Sequence, residues 1–117
     1  MNKEIPLISV VIGTRDREAR VIKTIQAILD GDYSHFEILV VDQSAADLTE
    51  KAVEPFLADS RILYFRSLTQ GISAARNTGI EKSRGEWVAI TDDDCEPKSN
   101  WLSTLVKIFQ KLSDVGI

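Results

Sequence analysis

Three consecutive carboxylates, Asp92, Asp93 and Asp94, close a short apolar run, Trp87-Val88-Ala89-Ile90. Adjacent like charges repel, so keeping three together is costly unless they are solvated or share a cation. The run before them is short and continuously apolar, which predicts a buried strand. Side chains of an extended strand alternate between its faces, so Asp92 and Asp94 share one face while Asp93 points away. An Asp-x-Asp pair aimed at one spot suits a hard divalent cation. At phosphate-handling sites such a cation keeps one or two carboxylates and completes its shell with phosphate oxygens and water. The plainer alternative is a solvated acidic turn, and the position directly after a buried strand favours the metal. An EF-hand loop is excluded: with Asp92 as its first position, Pro97 falls where the turn glycine belongs and Ser103 where the bidentate glutamate belongs.

Other reactive side chains are few. Cys95 is the only cysteine, which excludes an internal disulfide and any multi-cysteine zinc site. Neighbouring aspartates are expected to blunt the nucleophilicity of a thiol, so Cys95 is expected to be a small packed residue. The single histidine, His35, lies in the polar segment GDYSH, a poor base for a histidine-centred triad. A net charge of −4 gives no electrostatic reason to expect nucleic acid as a partner. With 44% hydrophobic and 27% charged residues in 117, the chain is expected to form one domain with a real core. Nothing approaches a membrane span, and Met1 to Glu4 lead directly into a strand, so the cytoplasm is the expected compartment.

The elements that must position the acidic run follow from hydrophobic periodicity. Leu7 to Gly13 predicts a first buried strand, followed by the polar Thr14, Arg15 and Asp16. Asp16 is expected to N-cap a helix with Val21, Ile22, Ile25, Ile28 and Leu29 on one face, ending at Gly31. Phe36 to Val41 forms a second strand that delivers Asp42 to its carboxyl end. A helix over 48–58 follows, with Pro55 awkward in its interior. Arg61 to Phe65 gives a third strand. The next helix spans Gly71 to Ser83, its buried face carrying Ile72, Ala75, Gly79 and Ile80 and interrupted by Arg76. Gly79, weak in a helix, implies close approach to the sheet. Pro97 marks the start of a last amphipathic helix carrying Trp101, Leu102, Leu105, Val106, Ile108, Phe109 and Leu112. The chain then runs to Val115-Gly116-Ile117.

Four strands alternating with four helices define an α/β class: an open, mostly parallel sheet with helices on both faces. Ligands of such sheets bind beyond the carboxyl ends of the strands, where the strand order reverses. Thr14, Arg15, Asp16, Asp42 and Asp92 to Asp94 all fall there. Neither GxxxxGK[ST] nor GxGxxG occurs, which argues against P-loop and dinucleotide-binding enzymes. A carboxylate-held metal is the other way to hold a diphosphate.

The ordered set ISVVIGTRDR, EILVVDQSAAD, GISAARNTGI and GEWVAITDDDCEP followed by WL resembles the nucleotide-binding half of family 2 glycosyltransferases of the GT-A fold. The resemblance implies Mg²⁺ or Mn²⁺ held by Asp94 with Asp92, and Asp92 or Asp93 near the ribose or sugar. It implies that Thr14, Arg15 and Asp16 line the nucleoside pocket, and that Asp42 contacts the base. Arg76 is implied as a diphosphate contact or a support for the acidic cluster, with a structural ion pair as the alternative. The chain has QSAAD where many members have DGSTD, which leaves UDP, GDP and TDP open, a UDP-sugar first among them. The implied reaction is inverting, metal-dependent transfer of the sugar to an acceptor hydroxyl. Family members carry the general base well downstream of the Asp-x-Asp motif. Residues 1–117 are therefore expected to be a truncated domain, the donor-binding half without the acceptor half. The acceptor and any membrane attachment of the full-length protein stay unassigned. A dimer through the exposed edge of the fourth strand is expected. A sugar-phosphate nucleotidyltransferase or a non-catalytic nucleotide- or metal-binding module remain alternatives. A phosphoacceptor receiver domain fits less well, because Gly13-Thr14-Arg15 stands where its acidic pair belongs.

Overall fold

The computed structural model describes residues 5–114; the expectations for Met1–Glu4 and Val115–Ile117 lie outside the described residues. The elements run β1 (Ile8–Thr14), α1 (Glu18–Leu29), β2 (Phe36–Asp42), α2 (Leu48–Val53) with a 3₁₀ extension (Glu54–Ala58), β3 (Ile62–Arg66), α3 (Ile72–Lys82), β4 (Trp87–Asp92) and α4 (Trp101–Asp114). All strand pairs are parallel and the sheet order is β3-β2-β1-β4. Consecutive strands step outward from β1 to β3, and the chain then returns to place β4 on the other side of β1. The order therefore reverses between β1 and β4.

The alternation along β1 sends Ile8, Val10 and Ile12 to one face, where they meet Val21, Ile25 and Ile28 of α1, Val53 of α2, and Leu102 and Val106 of α4. Trp87 of β4 stacks on Phe109 of α4 with centroids 4.4 Å apart, tying the edge strand to the last helix. Among the described residues, the opposite face is covered by α3, which lies against β1 and β2. A Cβ on Gly79 would stand 2.3 Å from Val11 Cγ1, so only glycine lets α3 come this close. The close approach expected at Gly79 is what the structure shows. Pro55 falls at the start of the 3₁₀ turn, where its missing N–H breaks no helical bond.

Several expectations are corrected. Only Ala75 and Gly79 of α3 are buried; Ile72 and Ile80 are exposed, because the helix meets the sheet along one narrow line of small residues. Trp87–Ile90 is not uniformly buried: Val88 and Ile90 are 37% and 39% exposed. Among the described residues β4 pairs only with β1, and α3 sits over β1 and β2, leaving that face of β4 open. Ile108 and Leu112 of α4 are exposed too. The last helix begins at Trp101 rather than at Pro97, after a turn closed by the Trp101 amide on the Lys98 carbonyl. No helix among the described residues is long and apolar enough to cross a membrane.

Candidate functional site

The carboxyl ends of β1 and β4 and the amino end of α3 surround an open cleft of about 470 Å³, within the range of small-molecule sites. It lies where the strand order reverses. Thr14, Arg15, Asp92, Asp93 and Asp94 line it, joined by Arg17, Gln43, Gly71 and Ile72. Gly71 begins α3 with φ +92°, a left-handed conformation that glycine adopts without strain, and its carbonyl receives the Gln43 side-chain amide at 2.9 Å.

The three aspartates separate by role. Asp93 turns inward, 6% exposed, and accepts hydrogen bonds from the Thr14 hydroxyl at 2.8 Å and Arg17 Nη1 at 3.4 Å. Asp92 and Asp94 are exposed, and their carboxylate oxygens lie within 4.8 Å of each other and of Cys95 Sγ. Two hard oxygen donors on exposed side chains at that spacing can reach one small divalent ion, so the donor set fits Mg²⁺ or Mn²⁺. Arg76 pairs with Asp92 at 3.6 Å, while Arg20 and Arg17 approach Asp94 at 3.9 and 4.0 Å. Three guanidinium groups thus offset the acidic turn.

The other sequence candidates stand apart from the cleft wall. Asp42, at the end of β2, is fully buried; its carboxylate accepts the Ser44 amide at 2.9 Å and the Tyr64 hydroxyl at 2.5 Å. Burial first, and the bond to Asp42 second, push the Tyr64 phenol well above its usual range. The residue of this segment that lines the cleft is Gln43. Asp16 is not the N-cap of α1: Arg17 occupies that place, without a side-chain capping bond. Asp16 instead adopts φ 53°, a conformation aspartate tolerates better than most residues, and its amide donates to Ser44 Oγ at 2.7 Å. It thereby ties the β1–α1 loop to the loop after β2. Cys95 is exposed rather than packed, because it lies past the end of β4 in the turn, with its thiol 3.9 Å from Asp94 Oδ1.

Arg17, Arg20 and Gln43 were not singled out from the sequence. Arg17 and Arg20 are three residues apart on the first turn of α1, a spacing that places both toward the acidic turn once α1 is known to lie beside β4's end.

A parallel sheet of this strand order with an acidic pair at the reversal point is the α/β arrangement whose ligands bind beyond the carboxyl ends of the strands. The model for glycosyl transferase family 2 matches residues 9–117, and the chain belongs to that family. Among curated relatives, the glycosyltransferase AglE of Haloferax volcanii is 35% identical over 87% of this chain and 35% of its own length. A Campylobacter jejuni GalNAc(5)-diNAcBac-PP-undecaprenol beta-1,3-glucosyltransferase is 35% identical over 87% of this chain and 34% of its own. The chain thus spans about a third of the length of these relatives. Among solved structures, the mannosyltransferase PcManGT of Pyrobaculum calidifontis, in complex with GDP-Man and Mn²⁺, superposes with a TM-score of 0.80 at 26% identity. That superposition covers 89% of this chain and 32% of the mannosyltransferase. S. aureus TarS (1–349) shares the fold, with a TM-score of 0.81 at 22% identity over 89% of this chain and 32% of that one. The architecture is that of GT-A glycosyltransferases.

Proposed function

We propose that this chain is the donor-binding half of a glycosyltransferase that transfers a sugar from a nucleotide-diphosphate sugar to an acceptor hydroxyl with inversion. The observation that carries the proposal is the exposed Asp92–Asp94 pair at the mouth of the cleft, with Asp93 turned inward beside it. Asp94, with Asp92, is the site for Mg²⁺ or Mn²⁺; the Mn²⁺ and GDP-Man of the Pyrobaculum relative support this choice. A cation held there would supply positive charge to offset that of the departing diphosphate. The chain's own residues do the rest of the binding. Thr14, Arg15 and Gln43 line the nucleoside end of the cleft, and the Asp42 carboxylate, by accepting the Ser44 amide, holds the loop that carries Gln43. Arg17 and Arg76, already at the acidic turn, stand close enough to meet phosphate oxygens. The general base belongs to the acceptor side of the longer proteins that this chain matches in part. The chain alone is proposed to bind donor and turn it over poorly.

The test is calorimetric titration of UDP, GDP and TDP with and without Mn²⁺, on the wild type and on Asp94→Asn. Metal-dependent binding of one nucleotide, lost in the variant, is the expected result and names the base. Metal-independent binding, or binding that survives Asp94→Asn, would remove the metal from the reading. Association through β4 is also proposed, supported by the exposed Val88 and Ile90 on a strand paired on one side. A monomer by light scattering across a concentration series would count against it.

A further inference from the structure

The acidic turn is also held by a residue that does not line the cleft. Thr24 lies in the middle of α1 and is fully buried. A threonine inside a helix ordinarily returns its hydroxyl to the carbonyl one turn back. For Thr24 that contact, to the Arg20 carbonyl, is long at 3.4 Å. The same hydroxyl lies 2.9 Å from the Asp93 carbonyl and 2.5 Å from the Cys95 carbonyl. These two carbonyls stand on either side of Asp94, one residue before it and one after. A single buried hydroxyl, its one hydrogen shared between two carbonyls, therefore touches the backbone at both shoulders of Asp94.

The Asp93 side chain is anchored independently, by Thr14 of β1 and Arg17 at the start of α1. With Asp93 held inward by its carboxylate and by its carbonyl, the neighbours on both sides must present their carboxylates outward. We propose that Thr24 is a positioning residue for the cation-binding pair: through the Asp93 and Cys95 carbonyls it sets where the Asp94 carboxylate stands relative to Asp92. The proposal rests on the metal site proposed for the donor.

Valine has the shape of threonine without the hydroxyl hydrogen, so Thr24→Val keeps the packing and leaves the turn unpinned, whereas Thr24→Ser keeps the donor. The experiment is titration of the chain with Mn²⁺ alone, following free Mn²⁺ by electron paramagnetic resonance well below the unfolding temperature, with far-ultraviolet circular dichroism confirming the fold. Asp94→Asn is the control. The expected result is loss of binding in Asp94→Asn, affinity lowered about tenfold in Thr24→Val, and affinity within about twofold of wild type in Thr24→Ser. Should Thr24→Val fail to fold, Thr24→Ala, which also lacks the hydroxyl but favours the helix, decides in its place. Wild-type affinity in a folded hydroxyl-less variant, alongside loss in Asp94→Asn, overturns the positioning role and leaves the donor site standing. Unchanged binding in Asp94→Asn overturns the metal site, and the positioning role with it.

Discussion

The two ends of β1 carry the same device and use it differently. At the amino end the Ser9 hydroxyl donates at 2.6 Å to Glu37, a carboxylate only 3% exposed. At the carboxyl end the Thr14 hydroxyl donates at 2.8 Å to Asp93, only 6% exposed. Around Glu37 the remaining capacity is taken up inside the protein. The Arg84 amide donates to it at 2.7 Å and Arg84 Nε at 3.3 Å, while the Gly85 amide donates to Ser9 Oγ at 2.8 Å. The result is a closed knot that fastens the turn between α3 and β4 to the sheet. Around Asp93 the fastening is similar, but the residues before and after it are exposed carboxylates. A buried carboxylate by itself therefore marks structure; the candidate site is where fastening one charge leaves two others facing a cleft. Among the described residues no buried side-chain polar atom lacks a partner, so neither end stores an unsatisfied group.

The contrast can be broken at either end. Glu37→Ala strips the acceptor from the buried Ser9 hydroxyl and from the Arg84 amide and guanidinium, and is expected to lower unfolding stability by about 3 kcal/mol in urea titrations while leaving Mn²⁺ affinity within about twofold. A loss of metal binding in that variant would show that the two ends are coupled. Asp94→Asn has the reverse profile: metal-dependent nucleotide binding falls at least about a hundredfold, roughly 2.7 kcal/mol, with stability changed by less than about 0.5 kcal/mol. Gly79→Ala lies between the ends and is expected to affect both. Its Cβ would force α3 away from Val11 at about 2 kcal/mol, and would shift the Gly71–Ala75 wall of the cleft enough to weaken nucleotide binding in the same calorimetric titration. Ser9→Ala and Thr14→Val remove the matched hydroxyls, each at about 1–1.5 kcal/mol of stability, and only the second should weaken Mn²⁺ binding.

The smallest effect is one of pH. Burial opposes the Glu37 charge, but the Ser9 hydroxyl and the Arg84 amide and guanidinium outweigh it and hold the carboxyl below its usual range. Because the folded state binds this proton more weakly than the unfolded chain does, its stabilisation is complete at neutral pH. It drains away as pH falls below the ordinary glutamate value of about 4.3. The gap in urea midpoint between wild type and Glu37→Gln should therefore narrow from pH 7 to pH 3.5. A gap that widens would reverse the assignment. Asp59, held by Arg61 at about 2, adds a second acid-sensitive carboxyl, one that remains ionised to lower pH.

The sequence by itself determined the alternation of strands and helices, the glycine at which α3 touches the sheet, and the place of the acidic run at a strand's carboxyl end. These are local or periodic properties: apolar runs, a helix face, a residue with no side chain. The family motifs were legible for the same reason, being contiguous. What the tertiary structure decided is which polar groups meet. Asp42 reads in sequence as an acid delivered to a binding edge; Tyr64, 22 residues on, and the loop that turns at Ser44 bury it. Glu37 is one charge inside an apolar strand until Arg84, 47 residues away, closes over it. Val88 and Ile90 look like core because sequence gives the hydrophobicity of a strand but not its position at the sheet's edge. Thr24 is a helical threonine until β4 ends beside α1 and its hydroxyl finds the turn 69 and 71 residues further along. A hydrogen bond acts over about 3 Å, so its partner is fixed only when the chain has folded and brought distant segments to that distance.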